Sequence, residues 1–108
     1  MSPREAGAHH RRKGLVGERE VFDRFVAAGG RVLKLDGQGD NVVELADVIY
    51  HVETKRREQT RIEEWCHQAE SEVAWKGVAV PVVVWRKSRE PWRIAMPLTP
   101  FLEVVTNP

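Results

Sequence analysis

The sequence predicts a mixed α/β domain in which helices pack against one small sheet, with elements in the order α β β β α β β α. Three observations carry that prediction. Two segments repeat apolar residues at helical spacing and close on glycine. The segments around them are rich in β-branched residues and alternate as strands do. The length, 108 residues, suffices for one modest core and not for two.

Residues 1–12 (MSPREAGAHHRR) lack apolar periodicity and carry proline, glycine and paired histidines, so they read as a flexible basic arm ahead of a single domain over residues 13–108. From about Lys13 to Ala28 a helix is expected. Leu15, Phe22 and Phe25 share one stripe, and Gly29-Gly30 stops it. Glu18 falls on that stripe, where a carboxylate needs a cation, hydrogen-bond donors or a metal to offset lost hydration, unless it lies partly exposed at the stripe's edge and pairs with an arginine. Arg31 to Leu35 alternates as a half-buried strand, and Asp36 to Asn41 (DGQGDN) reads as a turn or loop. Val42 to Lys55 is long enough for one or two strands. Thr60 and Glu63 have capping-box spacing ahead of a second helix whose stripe is Ile62, Trp65, Ala69 and Val73, closed by Gly77. Val82 to Arg86 and Trp92 to Met96 read as a hairpin, and a short helix near Pro100 to Val105 ends the order.

Composition narrows the class. With 42% hydrophobic and 31% charged residues the chain is ordinary for a globular protein. Cys66 is the only cysteine, so neither an internal disulfide nor a cysteine zinc cage is available, and a reducing, cytoplasmic setting is expected. The longest apolar run, Val78 to Trp85, is too short to span a bilayer, and the N-terminus lacks a signal-peptide core. A formal net charge of +1 conceals three basic clusters: Arg11, Arg12 and Lys13; Lys55, Arg56, Arg57 and Arg61; and Arg86, Lys87 and Arg89.

The stretch HVETKRRE, His51 to Glu58, holds the candidate site. In a strand Glu53 and Lys55 project from the same face, which sets a carboxylate able to bind a divalent cation beside an ammonium able to steady a water or a developing charge. Asp47 is the preferred second acid, but it faces a geometric test. A straight strand from 47 to 53 would separate the two residues by roughly 20 Å, whereas ligands of one Mg²⁺ lie about 2.1 Å from it. Either the chain reverses near Ile49 to His51, or Asp40 substitutes, brought back beside Glu53 by a hairpin over residues 41–54.

Taken together, RRKGLVGEREV (Arg11 to Val21), ADV (Ala46 to Val48), ETK (Glu53 to Lys55), EEWCHQA (Glu63 to Ala69) and VPVVVWRKSREPW (Val80 to Trp92) resemble, in order, the PD-(D/E)XK nuclease superfamily and its Holliday junction resolvases of archaea and phages. Ala46 stands where proline is usual. The resemblance implies a restriction-endonuclease-like core and a Mg²⁺-dependent endonuclease, with Mn²⁺ as a substitute, that resolves four-way DNA junctions; the alternatives are a nuclease for other branched DNA, for repair or for nicking, and a catalytically inactive DNA-binding module of the same fold. It assigns Asp47 (or Asp40) and Glu53 to the metal, Glu18 to the metal shell or its water, and Lys55 to the attacking water or the charge on phosphorus. That chemistry suits phosphodiester hydrolysis, which needs charge neutralisation and hydroxide near neutral pH.

DNA contacts are expected from Arg11, Arg12, Lys13, Arg56, Arg57, Arg61, Lys87 and Arg89, through phosphates and with steep salt dependence. Gln68 is a candidate site-lining residue. Four tryptophans are expected mainly in the core or at subunit contacts. Paired nicks at symmetry-related points imply a homodimer.

Overall fold

A computed structural model describes residues 16–34, 42–73 and 79–106. The expected arm over residues 1–12 falls outside this set, as do Lys13, Leu15, Asp40, Trp75 and Gly77. The elements follow the predicted order. Helix α1 covers residues 16–27, and strands β1 (Arg31–Lys34), β2 (Val42–Leu45) and β3 (Val48–Arg56) follow it. Next come helix α2 (Ile62–Val73), strands β4 (Val80–Arg86) and β5 (Arg93–Ala95), and helix α3 (Leu98–Thr106).

The five strands form one mixed sheet in the order β1-β2-β3-β4-β5. β3 and β4 are parallel, joined through α2, and the remaining pairs are antiparallel. A parallel pair needs such a crossover, because a tight turn joins only antiparallel neighbours. Alternation along β3 sends Val52 to one face and His51, Glu53 and Lys55 to the other. On the first face Val21 and Phe22 of α1 pack with Val43, Val52, Val82 and Val84. On the second, Trp65 and Ala69 of α2 pack with Val83, flanked by Ile62, Cys66 and Trp85. The sheet is thus covered by one helix on each side.

The glycine stop of α1 is built as the sequence suggests. Gly29 has φ 99° and donates to the Val26 carbonyl at 3.0 Å, while Gly30 donates to the Phe25 carbonyl at 2.8 Å. This is a Schellman closure, in which a left-handed residue lets two late carbonyls find donors. The start of α2 differs from expectation. The Trp65 N–H bonds the Arg61 carbonyl at 3.1 Å, so Arg61, one residue beyond Thr60, occupies the capping position.

The turn between β2 and β3 corrects a second expectation. Leu45 pairs with Val48, leaving Ala46 and Asp47 as a two-residue hairpin turn with φ of 52° and 66°. The chain therefore reverses at residues 46 and 47 and not near Ile49 to His51. From Val48 to Arg56 it runs as one strand.

Candidate active site

Helix α2 lies on the sheet through Trp65, Ala69 and Val73, spaced at i, i+4 and i+8. Gln68 and Glu72 stand one residue before Ala69 and Val73, on the flank of that buried stripe, and the flank faces His51 and Glu53. His51 is fully buried, and its Nε2 lies 3.1 Å from Glu72 Oε2. Gln68 Nε2 donates to Glu72 Oε1 at 3.3 Å. On β3 itself, Lys55 Nζ lies 3.3 Å from Glu53 Oε1, with the two side chains only 16% and 13% exposed. Nitrogen or oxygen atoms of His51, Glu53 and Glu72 all come within 4.8 Å of one another.

Burial sets the electrostatics. The Glu53 carboxyl is pushed up from 4.5 to about 7, first by loss of hydration; Lys55 opposes the rise, and the nearby charge of Glu72 adds to it. Two carboxylates facing one ammonium leave the pocket short of positive charge. A set of carboxylate oxygens and one imidazole at this spacing suits a divalent cation, because oxygens are the ligands Mg²⁺ and Mn²⁺ prefer. The residues present therefore fit a metal.

The expected site residues separate into three groups. Glu53 and Lys55 meet as the E-X-K spacing predicts, and Gln68 joins them through Glu72. Asp47 does not: it is exposed at the hairpin tip, six residues of extended chain from Glu53, or roughly 20 Å. That removes the preferred second acid, for the reason the straight-strand test anticipated. Asp40, the substitute, lies outside the described residues. Glu18 is half-buried on α1, whose core residues pack on the face of the sheet opposite Glu53, and among the described residues no contact joins it to Glu53. Glu72 was missed by sequence reasoning. The stripe of α2 narrows the candidates to its two flanks, but only the packed sheet decides which flank lies over the E-X-K face.

A second polar cluster ties α1 to the β4–β5 hairpin on the other face. Glu20 Oε2 accepts from Trp92 Nε1 at 3.2 Å and pairs with the Arg86 guanidinium at 3.4 Å, which stacks 5.0 Å from the Trp92 ring centre. Trp65 is buried, and Trp85 and Trp92 are partly buried against the two cores, as expected for tryptophan in a domain of this size.

The described basic candidates gather at one end of the sheet. β3 and β4 run parallel, so Arg56 and Arg57 leave the same edge as Lys87 and Arg89, and Arg61 opens α2 there. The Arg57 N–H bonds the Arg86 carbonyl at 3.2 Å and the Ser88 N–H bonds Glu58 at 3.2 Å, which locks the two strand ends together. Arg57, Arg61, Lys87 and Arg89 are exposed, whereas Arg56 is half-buried. Arg11, Arg12 and Lys13 lie outside the described residues.

No helix among the described residues is long and apolar enough to cross a membrane. No family model and no curated protein matches the sequence. Among solved structures the chain is similar to Hjc, a Holliday junction resolvase from the archaeal hyperthermophile Archaeoglobus fulgidus, with a TM-score of 0.61 and 21% identity over 78% of this chain and 72% of that one. The mixed sheet, the element order and this likeness together show that the chain shares the fold of that structure.

Proposed function

We propose that the chain is a metal-dependent endonuclease that acts on branched DNA, a four-way junction being the preferred substrate. The observation that carries this reading is the half-buried pair of Glu53 and Lys55, 3.3 Å apart on one face of β3, at the centre of a resolvase-like fold.

Glu53 would hold the cation, Mg²⁺ or Mn²⁺ in its place. Asp40 is the second acid of the proposal. It precedes Val42 by the two residues by which Glu53 follows His51, and Val42 and His51 are partners across the hairpin. When bound, the cation supplies charge neutralisation at the phosphate and acidifies water. Lys55, fixed by its contact with Glu53, places an ammonium where it can orient the attacking water or a phosphate oxygen. Burial keeps that corner poorly hydrated, so each charge acts more strongly than it would in bulk water.

Arg57, Arg61, Lys87 and Arg89 would meet phosphates along the sheet end. Cutting a four-way junction symmetrically takes two such sites, which a C2 dimer supplies. Helix α3 supports that assembly, because it buries none of its residues and leaves Leu98, Phe101, Leu102 and Val105 exposed.

The test is Glu53→Gln. Cleavage of a labelled junction in Mg²⁺ should fall below detection while junction binding in Ca²⁺ stays within a few-fold of wild type. Unchanged turnover would remove Glu53 from the mechanism and the reading with it.

A further inference from the structure

Glu72 is held from two sides. His51 Nε2 meets one carboxylate oxygen at 3.1 Å and Gln68 Nε2 donates to the other at 3.3 Å. His51 is fixed by complete burial in β3, whereas Gln68 is exposed and reaches Glu72 from four residues earlier on the same helix. A carboxylate offers about four acceptor sites and two donors occupy only half of them, so Glu72 keeps lone pairs for a cation.

His51 is also a cation-ligand candidate by distance, and its other nitrogen decides the matter. Nδ1 is buried and has no hydrogen-bond partner among the described residues. An imidazole that ligates a metal donates its second N–H to an acceptor, which fixes the tautomer. If Nε2 were the ligand, the proton would sit on Nδ1 as a buried donor with nothing to receive it. With the proton on Nε2 the ring donates to Glu72 and leaves only an unfilled acceptor at Nδ1, the less costly arrangement.

We propose that Glu72 is a further cation ligand of the site and that His51, as the Nε2–H tautomer, is a positioning residue that aims it, an inference that rests on the endonuclease reading above. Ligand atoms within 4.8 Å of one another are close to the spacing of about 4.2 Å that two oxygens on one Mg²⁺ can span. Glu72 is 35% exposed, so its carboxylate is open to a cation from solvent.

The experiment measures Mn²⁺ binding to the full chain without DNA, by calorimetry and pulsed EPR, for wild type, E53Q, E72Q, H51Q and H51L. Glu72→Gln should weaken Mn²⁺ binding at least 10-fold. His51→Leu, which removes the donor, should weaken it by about 10–100-fold, the range for outer-sphere partners of a metal ligand. His51→Gln, which can still donate to Glu72, should stay within about 3-fold of wild type, and the wild-type EPR spectrum should lack imidazole nitrogen coupling. Imidazole coupling to Mn²⁺, or unchanged affinity in E72Q, overturns the assignment even if H51L proves unfolded. Loss of binding in E53Q with E72Q unaffected would sink this inference alone, whereas full binding in both would sink the site itself.

Discussion

Glu53 should destabilise the metal-free fold at neutral pH. Its carboxyl titrates near 4.5 when the chain is unfolded and at about 7 in the fold. Below 4.5 both states are protonated and nothing is lost. As pH rises through this window the unfolded chain releases its proton first, so stability falls until about pH 7. At about 1.36 kcal/mol per pH unit the rise amounts to roughly 3 kcal/mol. Glu53→Gln removes the titration but also leaves Lys55 without its partner, so a net gain of about 2 kcal/mol is expected at pH 8, or roughly 8 °C in Tm for a chain of this length. Thermal melts in chelator, followed by far-UV circular dichroism at several values between pH 4.5 and 8, test this directly. The gap between variant and wild type should open with pH, and Mg²⁺ should close it by raising only the wild type. A pH-independent gap, or a variant less stable at pH 8, would refute the burial account of Glu53.

Lys55→Met should lower junction cleavage at least 100-fold with binding changed less than about 3-fold, as read by single-turnover kinetics and gel shift, because one oriented charge in a poorly hydrated site contributes about that much. Asp40→Asn should abolish cutting, whereas Asp47→Gly should leave it intact and stabilise the hairpin by about 1 kcal/mol, since glycine relieves the φ of 66°; a cleavage loss in D47G would restore Asp47 to the site. Arg57→Ala with Lys87→Ala should flatten the slope of log affinity against log salt by about 2, one for each phosphate contact. Phe101→Asp should convert a dimer to a monomer in sedimentation analysis, and an unchanged sedimentation coefficient would move the interface away from α3.

The sequence was most readable where local chemistry and tertiary packing agree. The glycine pair after α1, the β-branched strands and the stripe of α2 each announced an element that the fold then used, and E-X-K announced two side chains on one face. It was silent at Ala46-Asp47, where a left-handed turn is made without the glycine or asparagine that normally marks it, so a reversal near Ile49 to His51 and a hairpin over residues 41–54 both stayed open until the fold chose the hairpin. The capping residue of α2 was missed by one position for a similar reason: Thr60 carries the familiar side chain, but Arg61 closes the first turn with its backbone carbonyl. Glu72 went unseen because its role depends on which flank of α2 faces β3, and that follows from the parallel register of β3 with β4, a long-range fact no local pattern states.

In the proposed reading, this fold cuts branched DNA with a cation held at Glu53. Purified protein incubated with labelled four-way, nicked and linear duplex DNA, in Mg²⁺ and in chelator, tests it most directly. Paired, symmetric nicks in the four-way substrate that require Mg²⁺ are the predicted result. An intact junction in Mg²⁺, or cutting that persists in chelator, would contradict it.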